Sequence, residues 1–349
     1  MRFLSIFLLL VVTSFTATAQ VYFSDISAVA GIGNTGRNVG VAVGDYDNDG
    51  YEDVYLSRQY AGNILYRNNG DNTFTDVTLE AGITIEGYGL GLAIADLNYD
   101  GWPDIYIAND FNSPDYLYVN NQDGSFKEVA NEWFGHTSFY SMGSDVGDIN
   151  QDGLLDLYTL DMTSEDHLRS KNNMMMIDPK NYETMVQSGY GYQYMHNMMQ
   201  LNSGKEKFSE VSQLINLDKT DWSWSALITD LDNNGKEDLY VTNGIYRDIT
   251  YQDLKLNIQL EEQKLGRPLN FSETMEMFPS VPLENYCFSN EGNLEFKNVS
   301  KEWGLNTKGF SNGAALADFD NDGDWDIVTN NQNDFPFIYR NNSKNNFLK

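Results

Sequence analysis

Acidic and amide side chains recur with the same spacing in five nine-residue segments of this chain. In each segment, side-chain oxygens occupy positions 1, 3, 5 and 9, and glycine occupies position 6. The oxygen-bearing residues are Asp45, Asp47, Asp49 and Asp53; Asp96, Asn98, Asp100 and Asp104; Asp148, Asn150, Asp152 and Asp156; Asp230, Asp232, Asn234 and Asp238; Asp318, Asp320, Asp322 and Asp326. Ligands at this spacing can surround one hard cation, because glycine makes the sharp turn that brings the carboxylates together. The pattern predicts up to five metal sites, one in each segment.

Position 7 would add a backbone carbonyl, so the side chain there can vary. The residues at position 7 are Tyr51, Trp102, Leu154, Lys236 and Asp324. Oxygen ligands without histidine or cysteine favour Ca²⁺ over zinc or copper, and Mg²⁺ demands a stricter octahedron. The sequence therefore predicts Ca²⁺ as the cofactor. We expect the fourth site to be the weakest, because Asn234 replaces a carboxylate and Lys236 brings a positive charge nearby.

These segments differ from EF-hand loops, which carry a bidentate glutamate at position 12 and a helix on each side. Position 12 here lies in a predicted strand and is Leu56, Ile107, Thr159, Val241 or Thr329. A single Asp-Asn-Asp-Gly string is often only a β-turn. Five copies with the same oxygen-bearing positions favour the metal site over the plain turn.

Short predicted strands repeat together with the loops. A phenylalanine-led strand opens each repeat, an alternating strand leads into position 1, a third strand follows position 9, and a fourth precedes an Asn/Gly turn. The leading residues are Phe23, Phe74, Phe126, Phe208 and Phe296. Four strands in each repeat are typical of a propeller blade. We therefore predict an all-β fold, a β-propeller with five four-stranded blades in this chain, and partly helical insertions at about 161–197 and 245–286 on one face.

The formal charge of −29 excludes a nucleic-acid-binding surface, because the phosphate backbone would be repelled. The predicted ligand positions hold 17 of the 51 acidic residues, and five bound Ca²⁺ ions would bring the charge to about −19. Cys287 is the only cysteine, so an internal disulfide is impossible. We expect packing and metal to hold the fold, and much stability to be lost without metal.

The N-terminus is typical of a secretory signal peptide. Arg2 precedes an apolar run from Phe3 to Val12, and Ala17-Thr18-Ala19 matches a cleavage site. We assign residues 1–19 to the signal peptide and 20–349 to the propeller. The run is too short to span a bilayer, and no other segment is long enough. The sequence predicts an exported protein, in the periplasm, at the cell surface or outside the cell.

The loop and the Gly/Ala-rich strand before it resemble the FG-GAP (VCBS) repeat of integrin α-subunit propellers, over residues 21–342. Segments 141–148, 220–224 and 242–248 resemble bacterial proteins related to cartilage acidic protein, in which the propeller precedes an ASPIC/UnbV domain. The resemblance implies a disc of seven or eight blades. Since the chain supplies five and stops at Asn345–Lys349, we expect a fragment. The alternative is a closed five-bladed disc completed by the N-terminal strand.

We interpret the three histidines, His136, His167 and His196, as surface or loop residues rather than catalytic bases. No hydrolase elbow, zinc-protease helix or phosphate-binding loop occurs in the sequence. The sequence predicts a non-enzymatic adhesion or binding module that meets a protein or glycan on the face carrying the insertions. The alternatives are a propeller lyase or hydrolase, and a calcium-rigidified spacer for a missing C-terminal domain.

Two groups of side chains allow both a binding and a packing interpretation. The methionines of the third-repeat insertion, with its tyrosines, suit an adaptable contact surface or pack the insertion against the disc. They are Met174, Met175, Met176, Met195, Met198 and Met199. Trp222 and Trp224, at alternating positions, are expected to fill the space between blades rather than to stack on carbohydrate.

Overall fold

The computed structural model of the chain describes residues 23–33, 36–111, 113–173 and 178–343. The predicted signal peptide, Met174–Met176 and the last residues, Asn345–Lys349, lie outside these ranges. Strands form where apolar residues alternate with small or polar ones, because successive side chains of a strand point to opposite faces. Antiparallel units of such strands make up most of the described chain.

The first two units contain four strands each. After helix α1 (Ser27–Ala30), they are β1 (Asn38–Gly44), β2 (Asp53–Gly62), β3 (Ile64–Asn68) and β4 (Phe74–Asp76) in unit one, and β5 (Glu86–Ala95), β6 (Asp104–Asn109), β7 (Tyr116–Asn120) and β8 (Phe126–Glu128) in unit two. Within each unit, strands that follow one another in the chain pair side by side. The far ends of β2 and β5 also pair, with Gly62 opposite Glu86, so the two units share one eight-stranded sheet.

Unit three contains the first long insertion. In chain order its elements are α2 (Ala130–Trp133), β9 (Thr137–Ser138), β10 (Ser144–Gly147), β11 (Asp156–Thr159), α3 (His167–Asn173), α4 (Pro179–Gln187), β12 (Gln193–Tyr194), β13 (Met198–Asn202) and β14 (Phe208–Glu210). Strands β10, β11, β13 and β14 form the four-stranded sheet. Helix α4 begins after Asp178, whose side chain accepts the backbone N–H groups of Lys180 and Asn181 and so satisfies the first turn.

Units four and five complete the described chain. Their elements are β15 (Ser223–Thr229), β16 (Asp238–Asn243), α5 (Asp253–Leu265), α6 (Phe271–Met277), β17 (Leu283–Glu284), β18 (Tyr286–Gly292), β19 (Glu295–Asn298), β20 (Lys308–Gly309), β21 (Ser311–Ala317), β22 (Asp326–Asn331) and β23 (Phe337–Tyr339). Strands β15, β16, β18 and β19 form unit four, and β21, β22 and β23 form unit five. Helices α5 and α6 lie in the second insertion, where Asn270 and Glu273 form a capping box for α6.

The prediction that a phenylalanine-led strand opens each repeat is wrong. The strands that contain Phe74, Phe126, Phe208 and Phe296 pair instead with the strand that precedes them, and they form the outer edge of the previous unit. Phe23 lies in no strand, and its side chain is 95% exposed. The physical reason is that a short edge strand needs a neighbour to pair with, and that neighbour is the hairpin partner just before it in the chain.

The apolar core consists of four clusters, each between two consecutive units. Two neighbouring positions of the second strand show how the pleat builds them. In unit two, Ile105 packs towards unit one, whereas the next residue, Tyr106, packs towards unit three. Units three and four repeat this arrangement with Leu157 and Tyr158 and with Leu239 and Tyr240. Units two, three and four therefore bury both faces between their neighbours, as blades of a propeller do.

The first strands of consecutive units approach one another closely, and glycine makes this possible. A Cβ atom on Gly91 would lie 2.4 Å from the carbonyl oxygen of Met142, and one on Gly143 would lie 2.2 Å from that of Trp224. Apolar side chains are exposed at both ends of the row of units, including Val41 (66%) in unit one and Ile338 (65%) in unit five.

Candidate metal centres

The five predicted loops occupy equivalent places in the fold. Each joins the first strand of a unit to the second, and the aspartate at position 9 is the first residue of the second strand. Both insertions instead connect the second strand of a unit to the third. The loops and the insertions therefore lie at opposite ends of these strands. Helices do not flank the loops, which agrees with the predicted difference from an EF-hand.

The aspartate at position 1 holds the turn together. In the first loop, Asp45 Oδ1 accepts the backbone N–H of Asp49 at 3.0 Å, and Oδ2 accepts that of Gly50 at 2.9 Å. The other four loops repeat both bonds. The glycine at position 6 has φ between 84° and 99° in all five loops. A Cβ on Gly50 would meet no atom within 4 Å, so backbone conformation, not lack of space, requires glycine there.

The aspartate at position 9 is buried and links the loop to the third strand. Asp104 Oδ2 accepts the N–H of Leu97 at 3.0 Å, and its Oδ1 accepts that of Asn120 at 2.9 Å. The same pair of bonds occurs in the other four units. A carboxylate has about four lone-pair sites, so both oxygens can still bind a cation.

Burial of these carboxylates has an electrostatic cost. Burial, with a smaller contribution from neighbouring loop carboxylates, raises the pKa of Asp104, Asp156 and Asp238 to about 7 and that of Asp53 to about 6. The backbone N–H groups oppose this effect without cancelling it. A bound cation would favour the charged form of all four groups.

Three of the loops gather their carboxylates at positions 1, 3 and 9 into one group. The carboxylate oxygens lie within 4.8 Å of one another in the groups Asp45–Asp47–Asp53, Asp230–Asp232–Asp238 and Asp318–Asp320–Asp326. Asp47 Oδ1 is buried and has no hydrogen-bond partner. In loops two and three, position 3 is asparagine, and Asn98 and Asn150 donate to the position-5 aspartate at 3.0 Å.

Positions 5 and 7 are arranged differently from positions 1, 3 and 9. The position-5 side chain accepts the backbone N–H of position 7, as Asp49 does from Tyr51 at 2.9 Å, and it lies outside the three-carboxylate groups. The side chain of Lys236 lies beside Gly292, the last residue of β18. The ligand roles of both positions stay predictions.

The donor set fits a hard divalent cation. Carboxylate, amide and carbonyl oxygens are the ligands that Ca²⁺ takes, and an ion bound between the three carboxylates could give the unpartnered Asp47 oxygen a partner. Positions 1, 3 and 9 would supply the first ligands, and the remaining coordination would come from positions 5 and 7 or from water.

An asparagine that was not singled out from the sequence connects the loops of neighbouring units. Asn120 Nδ2 donates to the carbonyl oxygen of Tyr46, in the previous loop, at 2.7 Å. Asn202, Asn290 and Asn341 make the equivalent bond to the loops of units two, three and four. The sequence carried a signal for this bond, since an asparagine recurs at the same position, near the end of the third strand, in every unit.

The two insertions contact each other. The Arg169 guanidinium, in the first insertion, donates to Asp248 of the second through Nη1 at 2.8 Å and Nη2 at 2.9 Å, and its Nε donates to Asp221 at 2.6 Å. The backbone N–H of Gln252 donates to the carbonyl oxygen of Asn172 at 2.9 Å. The insertions therefore form one continuous surface.

Stacked β-sheet units, each with an acidic loop between its first and second strands, define a repeat protein of the propeller type. Residues 45–107 and 96–159 match the family model described as the FG-GAP-like repeat. The chain thus carries FG-GAP-like repeats, which confirms the predicted resemblance. Within the described residues, none of the helices is long and apolar enough to cross a membrane.

Two curated relatives match part of the chain. Cartilage acidic protein 1 of Xenopus tropicalis is 31% identical over 122 residues, which are 34% of this chain and 19% of that protein. Human integrin alpha-7 is 28% identical over 112 residues, which are 27% of this chain and 9% of that protein. The matched region is thus less than a fifth of either relative. A solved structure of an Agrocybe aegerita lectin that recognises non-reducing terminal N-acetylglucosamine covers 88% of this chain and 64% of its own, with a TM-score of 0.45 and 14% identity.

Proposed function

We propose that this chain is an exported, calcium-stabilised β-propeller segment of five blades that serves as a binding or adhesion module, not as an enzyme. The observation that carries the calcium part is the first loop, where three carboxylates meet and one buried oxygen of Asp47 has no partner. Leaving such an oxygen without a donor or cation is costly. The equivalent loops of the other units extend the proposal to five ions.

Calorimetry on metal-stripped protein tests the calcium proposal. We expect Ca²⁺ to bind at up to five sites and Asp47→Asn to weaken one of them. Asp71→Asn is the matched control, because Asp71 is an exposed turn aspartate of the same unit that accepts from Thr73. Absence of binding heat, or equal losses in both variants, would contradict the assignment of the first loop.

The surface formed by the two insertions is the proposed contact face. The aromatic rings of Tyr190, Tyr192 and Tyr194 are exposed there, as is Phe271 in helix α6. Exposed aromatic side chains supply large contact area with a polar tip, and they are enriched at protein interfaces. Similarity to integrin alpha-7 and cartilage acidic protein 1 supports a binding role for a chain that carries these repeats.

For the methionines and for the two tryptophans, the sequence allowed both packing and binding, and their burial supports packing where the structure describes them. Met198 and Met199 are buried in β13, which supports the packing interpretation for them, whereas Met174–Met176 lie outside the described residues. Trp222 and Trp224 stack at 6.3 Å between ring centroids and pack against the core cluster between units three and four. Their position supports packing between units rather than carbohydrate stacking.

Glycan and protein arrays, probed with labelled protein in Ca²⁺ and in chelator, test the binding role. We expect hits that disappear in chelator and that weaken in the variant Tyr190→Ser/Tyr192→Ser. Leu79→Ser, an exposed apolar residue in unit one, is the control variant. Product formation from an arrayed polysaccharide would favour a lyase or hydrolase, and no hit in either condition would favour a spacer.

A further inference from the structure

Two of the three histidines meet one glutamate away from the acidic loops. One ring nitrogen of His136, one of His196 and a carboxylate oxygen of Glu210 lie within 4.8 Å of one another. We propose that these three residues bind a divalent first-row transition-metal cation, with Zn²⁺ as the expected ion. The inference does not depend on the proposed calcium sites, which use other residues and other ligand atoms.

The backbone brings these residues together from three separate places in the chain. Strands β9 and β12 pair in parallel, with Thr137 opposite Gln193, and His136 directly precedes β9. His196 follows β12, where its backbone N–H donates to the carbonyl oxygen of Tyr194 at 3.0 Å and the chain turns back. Glu210 is the last residue of β14, the outer strand of unit three. His136 Nε2 lies 3.6 Å from Glu210 Oε2, close to the separation of two ligands on a tetrahedral ion.

The surroundings orient each ligand. His196 Nδ1 lies 2.7 Å from the carbonyl oxygen of Asn197 and donates to it, which leaves Nε2 with the lone pair that a metal needs. Glu210 Oε1 accepts the backbone N–H of Ser212 at 2.6 Å, which leaves Oε2 for the ion. The Gln200 side chain donates to the carbonyl oxygen of His136 at 2.8 Å and holds its backbone.

Burial and donor type both favour a transition metal over a hard cation such as Ca²⁺ and over a simple ion pair. His196 is 8% exposed, and the side chains of Glu210 and His136 are 9% and 27% exposed, so water reaches the group mainly beside His136. Two imidazoles and one carboxylate match the ligands that Zn²⁺ takes, with a fourth position left for water. A simple ion pair would account only for His136 and Glu210, and the hydrogen bond from His196 Nδ1 to Asn197 leaves Nε2 available as the third ligand.

Occupancy of this site would join the first insertion to the sheet. His196 ends the insertion, His136 precedes β9, and Glu210 belongs to β14, so one ion would connect three segments. His136 also contacts the exposed ring of Tyr194 at 5.0 Å between centroids. The metal would therefore stabilise the part of the insertion surface that carries the exposed tyrosines.

Titration of the full chain with ZnCl₂ tests the proposal. The protein is first stripped of metal and then saturated with Ca²⁺, so that the acidic loops are occupied. We expect one Zn²⁺ to bind for each chain, and His196→Gln and Glu210→Gln each to lower its affinity at least about tenfold. His167→Gln should leave it unchanged, since the exposed His167 lies outside the group.

Co²⁺ supplies a second readout, because its visible spectrum distinguishes nitrogen-containing tetrahedral sites from all-oxygen octahedral ones. If His196→Gln fails to fold, as circular dichroism would show, His136→Gln at the more exposed position replaces it. Three results would overturn the proposal: no Zn²⁺ binding with Ca²⁺ present, equal affinity in the His136 or His196 variants, or displacement of Zn²⁺ by Ca²⁺ alone. None of them would affect the calorimetric test of the acidic loops.

Discussion

If the acidic loops bind Ca²⁺ as proposed, removing it should reverse the dependence of stability on pH. Without a cation, burial raises the pKa of Asp104, Asp156 and Asp238 to about 7 from an ordinary value of 3.8. The folded protein then binds more protons than the unfolded chain between about pH 4 and pH 7. Its free energy of unfolding must therefore fall as the pH rises through that range, and it should level off above it.

The size of this change in the free energy of unfolding follows from the same pKa shift. Moving the pKa of one buried carboxyl from 3.8 to about 7 corresponds to about 4 kcal/mol at pH 8. Three such groups do not add fully, but even one is a large fraction of the roughly 5–15 kcal/mol that stabilises a typical domain. With Ca²⁺ bound the sign of the pH dependence changes, because protons compete with the ion for the carboxylates. A free Ca²⁺ concentration of 100 times the Kd adds about 2.7 kcal/mol of stability for each site.

Thermal melts at pH 5.5 and pH 8, in EGTA and in 5 mM Ca²⁺, measure this effect. At roughly 2–4 °C for each kcal/mol, we expect Tm in EGTA to fall by on the order of 10 °C from pH 5.5 to pH 8, and to rise or stay level in Ca²⁺. Melts in 0.3 M NaCl serve as the control, because salt screens surface repulsion far more than it screens buried charges. A Tm in EGTA that rises with pH, or an equal Tm with and without Ca²⁺ at pH 8, would refute the reasoning.

Three substitutions test contacts between distant parts of the chain by urea unfolding. Asn202→Ala should lower the free energy of unfolding by about 2–4 kcal/mol, since it removes the bond to Leu97 and leaves buried carbonyls unpaired. Gly143→Ala should lower it by about 1–3 kcal/mol, because its Cβ would meet the carbonyl oxygen of Trp224 at 2.2 Å. Arg169→Ala should cost about 3–5 kcal/mol, since it leaves two buried aspartates without their cation.

Each of these substitutions has a matched control elsewhere in the chain. The side chain of Asn68, the equivalent asparagine of unit one, donates to the carbonyl oxygen of Glu52 in its own unit, so Asn68→Ala should cost less than Asn202→Ala. Gly135 has no atom within 4 Å of a built Cβ, and Gly135→Ala should be nearly neutral. The control for Arg169→Ala is Arg267→Ala. Arg267 pairs with Glu273 at the surface, where an ion pair contributes about 0–1 kcal/mol. Equal effects within any pair would show that the inter-unit contact does not supply the difference.

Much of the acidic loop could be predicted from its nine residues. The turn at Gly50 and a strand directly after the loop depend on neighbours in the chain, and the structure has both. The fold class followed for the same reason, since five similar repeats of short strands imply stacked units. The ligand roles of Asp49 and Tyr51 stay predictions, since they depend on an ion as well as on the loop.

Which strands pair with one another was harder to predict from the sequence. The segments led by Phe74 and Phe126 were recognised as strands, but their assignment to the start of a repeat was wrong. A repeated pattern is the same whichever residue is taken as its beginning, whereas pairing depends on which neighbour offers free backbone groups. Phe23 has the same sequence context as the others but forms no strand in the structure.

Only the tertiary structure decided which distant side chains meet. His136, His196 and Glu210 carry no common motif, and they come together only where the segments around β9, β12 and β14 pack against one another. Arg169 meets Asp248 for a similar reason, since two insertions from different units fold against each other. The loop chemistry is encoded within nine consecutive residues, whereas these contacts depend on how segments tens of residues apart pack, and no local spacing specifies that packing.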